Sequence, residues 1–247
     1  MTLSNLRYVI LDCPYDSWNS SDLRELFCEM AGLKFDGYRA GYRDGILSVG
    51  DSDLVAIHQL VCREENGKLV PLIGNHTLTV ERAQYHNLAF PPLALATTNG
   101  QKEHAEVIKS IMDRCAKSGK TLGYDGGWTI HPDVQKDKDT AIELHKHFQA
   151  IKVLSLQHYG IEEVLTAATV RFRVEKAMTF FGCKAIEKNG ARLADMPVPR
   201  FDNEMVVMMH MPKLDAKAIA FAEAYKAMWK NRLVIEQPKD AAKKIAA

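Results

Sequence analysis

The sequence lacks several features that mark particular classes of protein. Its 32 basic and 31 acidic residues nearly cancel, which argues against a broad basic surface for nucleic-acid phosphates. Its apolar runs, such as residues 93–96 and 205–209, fall far below the roughly 20 residues that span a bilayer. The first residues show no basic segment followed by an apolar one, so we expect no cleaved signal peptide. We predict a cytoplasmic protein that binds neither nucleic acid nor membrane.

Cysteine is also scarce, and the spacing of the cysteines indicates neither a disulfide framework nor a zinc site. The five cysteines are Cys13, Cys28, Cys62, Cys115 and Cys183. Their odd number and the absence of Cys-x-x-Cys argue against a disulfide framework or a zinc knuckle. No predicted helix carries His-x-x-x-His, and His145 and His147 are two residues apart, so they do not share a helix face. We therefore expect buried thiols in a reducing compartment and no metal.

The sequence contains no internal repeat and no low-complexity segment. Segments with strand and helix patterns alternate along it, which predicts a mixed α/β layer protein. We interpret residues 1–247 as a single domain with its core at about 5–230. The charged, alanine-rich tail, residues 231–247, is expected to fray.

In the first half, residues 7–12 predict a strand, and the polar residues 20–22 predict the start of a helix. Residues 35–42 are interpreted as a loop or a broken helix, because Gly37 and Gly41 weaken a regular element. Residues 53–62 and 69–80 predict a hairpin, because Asn66-Gly67 is a strong turn signal.

In the second half, hydrophobic periodicity and glycine positions predict further alternating elements. The predicted helices cover residues 101–118, 140–159, 169–181 and 216–229. The predicted strands cover residues 121–131, 161–167, 183–187 and 204–211.

The segment from Trp128 to Leu144 carries the most information. A predicted strand ends in Ile130-His131-Pro132, a polar loop follows, and a helix begins near Thr140. A later helix ends at Gly182. This order resembles the GNAT superfamily of N-acyltransferases, in which a strand runs into a Val-x-Pro-like segment and an Arg/Gln-x-x-Gly-x-Gly/Ala loop. The resemblance covers roughly residues 123–187 as a pattern of elements.

The resemblance implies an α/β fold with a GNAT-like mixed central sheet flanked by helices. Two strands would splay apart below the loop, and the pantetheine arm of an acyl-CoA co-substrate would enter the gap. Backbone N–H groups at a helix N-terminus suit a diphosphate. The positions that would bind the donor are Ile130, Val134, Gln135, Lys136, Asp137, Lys138, Asp139 and Thr140.

The sequence departs from the family pattern where the chemistry lies. Gln135 matches the leading position of the loop, but Lys138 and Thr140 replace its glycines. Asp137 adds negative charge where a diphosphate would sit, and such a carboxylate can itself stabilise the helix N-terminus. Met178 stands at the family's tyrosine position, and a thioether cannot protonate a leaving thiolate.

N-acyl transfer needs a base that removes a proton from the amine near the thioester. The candidate catalytic residues are His76 on the predicted hairpin, and Asp125 and His131 on the strand that leads to the loop. Cys13, in a turn after the first strand, is an alternative nucleophile with no identifiable acid partner.

Three functions remain open. The first is transfer of an acyl group from acyl-CoA to a small-molecule amine. The second is a catalytically inactive GNAT-like protein that binds a ligand or a partner. The third is an N-acyl amino acid or homoserine lactone synthase-like enzyme that uses an acyl carrier protein and so predicts a basic patch near the loop. The lysines available for that patch are Lys117, Lys120, Lys136, Lys138, Lys146 and Lys152. A homodimer is also left open.

Overall fold

The computed structural model describes residue 3, residues 5–42, residue 46, residues 49–201 and residues 203–236. Its strands are β1 (Leu6–Asp12), β2 (Ile57–Glu65), β3 (Lys68–Thr79), β4 (Thr121–Ile130), β5 (Ile161–Thr169), β6 (Lys184–Ala185), β7 (Glu187–Lys188), β8 (Ala191–Arg192), β9 (Met196–Val198), β10 (Glu204–Met211) and β11 (Leu233–Ile235). Its helices are α1 (Ser21–Gly41), α2 (Asp51–Val55), α3 (Val80–Tyr85), α4 (Pro91–Thr98), α5 (Lys102–Ser118), α6 (Pro132–Gln135), α7 (Lys138–His158), α8 (Val174–Thr179), α9 (Ala216–Glu223) and α10 (Lys226–Lys230).

A mixed sheet forms the centre of the molecule, as predicted. Its strand order is β11-β1-β2-β3-β4-β5-β10-β6, with β9 also paired to β10. The pairs β1–β11 and β4–β5 are parallel, and the other pairs in this sheet are antiparallel. Helices α7 and α9 pack on one face, whereas α1 packs on the other face against β3 and β4. No helix among the described residues is long and apolar enough to cross a membrane.

The hairpin of β2 and β3 confirms the predicted turn. Asn66 and Gly67 both have positive φ angles, +50° and +78°, as a two-residue hairpin turn requires. The predicted start of the hairpin at Asp53 is wrong, because residues 51–55 form α2. Gly50 precedes this helix, and its backbone N–H donates to the Asp53 carboxylate at 2.9 Å.

Helix α1 corrects the prediction of a loop or broken helix at residues 35–42. The helix begins after Ser20, whose hydroxyl accepts from the Leu23 N–H, and it continues without a break to Gly41. A Cβ atom on Gly37 would lie 2.3 Å from Thr129 Cγ2, and one on Gly41 would lie 3.1 Å from Phe172. The two glycines therefore allow the helix to approach the sheet closely, and this packing outweighs their low helix propensity.

Four other boundaries also differ from the predictions. The predicted strand 183–187 is two short strands, β6 paired with β10 and β7 paired with β8. The predicted helix 169–181 is reduced to α8, because β5 continues to Thr169 beside β10. The predicted helix 216–229 is two helices, α9 and α10. The expected fraying of residues 231–247 is wrong for β11, which pairs with β1 through Val9 and Leu233, and residues 237–247 lie outside the described residues.

Substitution of glycine by alanine at two positions of α1 tests this packing. We expect Gly37→Ala to lower the free energy of unfolding by about 1–3 kcal/mol, because the new methyl group overlaps Thr129. The matched change Gly32→Ala meets nothing within 4 Å and should raise stability by about 0.5–1 kcal/mol. Urea unfolding of both variants measures the difference, and equal effects would contradict the close approach.

Candidate active site at the fork of two parallel strands

The central feature is a fork between β4 and β5. The two strands pair from Thr121 and Ile161 as far as Asp125 and Thr166. Beyond that point β4 pairs only with β3, as far as Ile130, and β5 pairs only with β10. In the described part of the chain, no backbone pairing joins the two strands past the fork. The splay expected beside residue 130 is therefore present.

A bulge lies on β4 immediately past the fork. Gly126 pairs with His76, and Thr129 pairs with Gly74, so one residue of β3 faces two residues of β4. Gly127 lies in the bulge with a φ of +67°. A Cβ atom there would lie 3.0 Å from His76 Nδ1 and 3.0 Å from Lys34 Nζ. Only glycine therefore lets these two polar side chains pack directly against the β4 backbone.

On the α1 face of the bulge, Asp53 organises a buried polar cluster. Its Oδ1 atom lies 2.5 Å from Lys34 Nζ and 3.0 Å from His76 Nδ1. Burial alone would raise the pKa of Asp53, but the hydrogen bond from His76 and the Lys34 ammonium group outweigh it and hold the pKa well below its usual range. His58 Nε2 donates a hydrogen bond to the Asp53 backbone carbonyl, 2.6 Å away. Burial lowers the pKa of His58 to about 3, so its ring is neutral at neutral pH.

The orientation of His76 suits a general base. Because Nδ1 faces the Asp53 carboxylate, that nitrogen carries the proton and donates it, which leaves a lone pair on Nε2. The Nε2 atom makes no hydrogen bond among the described residues. A cavity of about 10 Å³ lies between α1 and the bulge, lined in part by His76, Gly127 and Thr129, which is close to the space that one water molecule needs.

Asp53, His58 and His76 also have the spacing of possible metal ligands. Lys34 opposes that use, because its ammonium group is already in contact with the Asp53 oxygen that a cation would require. In this arrangement Lys34 neutralises the Asp53 carboxylate, and the carboxylate orients the His76 imidazole.

On the opposite face of the sheet, Asp125 forms a second buried pair at the vertex of the fork. It contacts the Lys152 ammonium of α7, and the Asn75 amide donates to it at 2.5 Å. Lys152 also lies 3.5 Å from Met178 Sδ. Both carboxylate oxygens of Asp125 thus accept hydrogen bonds. The residue is therefore better suited to positioning its neighbours than to proton transfer. Met178 is buried in the core beside Lys152.

Helix α1 covers one side of the gap between the separated strands. Gly37 lies against Thr129 on β4, and Gly41 lies against Phe172 just beyond β5. An aromatic group surrounds this end of the helix, with ring centroids 5.4–5.9 Å apart. Its members are Tyr38, Tyr42, Phe172 and Phe201. This group forms an apolar wall beside the fork.

The structure does not bring the three candidate catalytic residues together. His76 and Asp125 lie on opposite faces of the sheet, and His131 lies at the end of β4. His131 precedes α6, and its Nδ1 atom accepts from the Asp133 N–H at 3.2 Å. Its own backbone N–H donates to the Leu72 carbonyl. His131 therefore caps helix α6 at the end of β4.

The loop of residues 134–140 satisfies much of its own backbone. The N–H groups of Val134 and Gln135 donate to the His131 carbonyl. The Asp137 carboxylate caps α7, because it accepts from the Thr140 N–H at 3.3 Å and from the Thr140 hydroxyl at 2.7 Å. The Asp137 carboxylate therefore occupies this helix N-terminus as an anion supplied by the chain itself. The hydrogen bonds from Thr140 lower the pKa of Asp137.

The remaining loop positions differ in exposure. Val134 is buried, and Ile130 accepts from the Gln135 side chain at 3.4 Å. Lys136 pairs with Asp133 at the surface. Lys138 and Asp139 are exposed in the first turn of α7.

Sequence analysis missed Lys34, Asp53 and Lys152 as site residues. A signal was present for both lysines, because each lies four residues after a buried apolar residue, Met30 or Phe148, on a helix face that points to the core. A lysine in such a position needs a buried anion.

Loss of one member of the Lys34–Asp53 pair should be costly. We expect Asp53→Asn to lower the free energy of unfolding by about 3–5 kcal/mol, because it leaves the Lys34 charge buried without its counter-charge. The double variant Lys34→Met with Asp53→Asn should recover most of that loss. Urea unfolding measures both variants, and a double variant less stable than Asp53→Asn would contradict the pairing.

Comparison with known proteins agrees with this architecture. No protein-family model matches the sequence, and no curated protein matches it significantly. Among solved structures, BjaI, a CoA-dependent acyl-homoserine lactone synthase with SAM and isopentyl-CoA, is similar with a TM-score of 0.54 and 11% identity, over 97% of this chain and 98% of that one. FeeM, an N-acyl amino acid synthase from uncultured soil microbes, has a TM-score of 0.45 and 10% identity, over 75% of this chain and 90% of that one. At such identities the likeness to BjaI concerns the fold alone, and the chain has a GNAT-like fold.

Proposed function

We propose that the protein is an N-acyltransferase that moves an acyl group from an acyl thioester to a small-molecule amine at the β4–β5 fork. The observation that carries this proposal is the separation of the two strands after Asp125, with the Gly127 bulge and the Asp53–His76 pair directly behind it. A gap between parallel strands offers backbone groups to an extended donor arm. The bulge offers backbone N–H groups that can polarise a carbonyl.

In the proposed reaction the amine nitrogen attacks the thioester carbonyl carbon. The C–N bond forms, the C–S bond breaks, and the electron pair leaves on sulfur. His76 Nε2 takes the amine proton directly or through one water, and Asp53 stabilises the resulting imidazolium. The leaving thiolate takes up a proton from solvent, and the His76 imidazolium returns its proton to solvent. Asp125 is a positioning residue in this scheme, since Lys152 and Asn75 hold it at the vertex.

The donor is proposed to be acyl-CoA, with its phosphates near Ile130 and the loop of residues 134–140. The exposed lysines Lys136 and Lys138 could contribute positive charge there. The Asp137 cap opposes an incoming diphosphate, so the charge of this residue tunes donor affinity. BjaI is CoA-dependent by its name, which supports a CoA donor through the fold alone.

The alternative of an acyl-carrier-protein donor rests on a basic patch beside the loop, and not all of the six candidate lysines can contribute to one. Lys152 is buried against Asp125 and cannot join a surface patch. Lys117 and Lys120 lie before β4 whereas the loop follows β4, and a ten-residue strand spans roughly 30 Å. The six lysines therefore do not form one patch beside the loop.

A ligand-binding protein without catalysis is the second candidate. Its support is the buried Met178 at the position where the family has a tyrosine, together with the self-capped loop. Such a protein would bind the donor without turnover, so binding and turnover must be measured separately.

Thermal unfolding with CoA, acetyl-CoA and a long-chain acyl-CoA tests donor binding. A donor at about 100 times its Kd adds about 2.7 kcal/mol and should raise Tm by roughly 5–10 °C. A shift with the acyl donors supports the thioester site and ranks the chain lengths. No shift with any of the three would contradict a CoA donor.

The variant Asp137→Asn tests whether the loop holds the phosphates. Asparagine caps a helix as well as aspartate, so Tm should change little. Removal of one negative charge should tighten CoA binding about fivefold, since a unit charge at about 4 Å contributes ~1 kcal/mol in water. Calorimetric titration measures the change, with Asp113→Asn on the surface of α5 as control. Equal affinity of the two variants would place the phosphates elsewhere.

A comparison of His76→Gln with His131→Gln tests the assignment of the base. We expect His76→Gln to lower kcat by about 10²–10⁴-fold, whereas His131→Gln should cause a much smaller loss through its cap alone. Steady-state release of thiol from the donor measures both, with circular dichroism as a check of folding. The reverse ranking would move the base to His131.

A further inference from the structure

Three side chains with metal-ligand chemistry cluster away from the fork. Cys13 directly follows β1, Asp16 lies in the turns before α1, and His86 follows α3 as its C-terminal cap. Cys13 Sγ lies 3.8 Å from His86 Nε2. One ligand atom from each of the three residues lies within 4.8 Å of the other two.

The separation of Cys13 and His86 is close to that of two ligands in a tetrahedral site. Zinc binds sulfur at about 2.3 Å and imidazole nitrogen at about 2.0–2.1 Å, so two such ligands lie about 3.5 Å apart. The observed 3.8 Å between Cys13 and His86 requires only a small adjustment. A donor set of sulfur, nitrogen and carboxylate oxygen favours zinc over magnesium or calcium.

The backbone holds the three ligands in place. Cys13 adopts a φ of +49°, which is uncommon for a residue with a side chain. Its N–H donates to the Ala56 carbonyl, and the Asp16 N–H donates to the Cys13 carbonyl at 3.0 Å. The Tyr85 ring lies edge-on to His86, with centroids 4.9 Å apart. The turn after β1 is thus anchored with its thiol directed at His86.

We propose that Cys13 Sγ, Asp16 and His86 Nε2 bind one zinc ion, with a water molecule as the fourth ligand. The ion replaces the proton of the Cys13 thiol, and that proton passes to solvent. Cys13 is buried and Asp16 is exposed, so the ion enters from the Asp16 side and keeps an open position there. The metal ties the turn after β1 to the end of α3 and takes no part in the reaction at the fork.

Cobalt serves as the spectroscopic probe of this site. Chelator-treated protein is titrated with Co²⁺ alone, and then with Zn²⁺ as competitor. We expect a cobalt–thiolate charge-transfer band that saturates at one equivalent and disappears when Zn²⁺ is added. Cys13→Ser should abolish the band. His86→Gln should weaken binding by about 100-fold or more, since even outer ligands contribute 10–100-fold.

The matched control is Cys28→Ser, because Cys28 is exposed on α1 and should leave the band unchanged. Asp16→Asn provides a surface variant that tests the site even if Cys13→Ser fails to fold, and it should also weaken cobalt binding. Absence of the band, its persistence in Cys13→Ser, or its loss in Cys28→Ser would each overturn the proposal.

Discussion

Two buried lysine–aspartate pairs flank β4, one on each face, at the point where it leaves β5. Lys34 and Asp53 lie on the α1 face, and Lys152 and Asp125 lie on the α7 face. A buried charge without a partner is costly, and a buried pair is tolerated only when hydrogen bonds complete it. Each pair therefore restricts how its helix, α1 or α7, can pack on the sheet, because the ammonium group has to reach its carboxylate.

The Lys34–Asp53 pair also fixes the orientation of His76. Asp53 is neutralised by Lys34 and still holds His76 by its Nδ1 atom, so the imidazole is oriented with Nε2 buried and without a hydrogen bond among the described residues. The lack of a side chain at Gly127 lets this imidazole reach the β4 backbone. The Asp53–His76 pair thus lies in the core and contacts the β4 backbone at the glycine bulge.

The departures from the GNAT pattern have a common physical explanation. Where a glycine-rich loop would leave helix N–H groups for a ligand, this chain places Asp137 on those groups. Where a tyrosine would face the leaving sulfur, Met178 packs against Lys152 in the core. In both places a group that would meet a donor is replaced by one that completes the protein's own contacts. A donor phosphate at this loop, as proposed above, would have to outweigh the charge of Asp137.

The sequence by itself determined the elements with strong local signals. Examples are the Asn66-Gly67 turn, the amphipathic helix α5 and strand β10, together with the strand–loop–helix order that marks the GNAT-like fold. It also predicted His76 and Asp125 as candidate site residues, because these polar residues stood out on predicted strands. These patterns are readable because their physical causes act over a few residues.

Only the tertiary structure decided where β4 and β5 separate, which lysines are buried, and why α1 continues through Gly37. The partners of Lys34 and Lys152 lie 19 and 27 residues away in the sequence, and Gly37 meets Thr129 across the fold. Local propensity contains no information on such contacts, since a glycine in a helix and a lysine on an apolar face are unfavourable until the opposing surface is present.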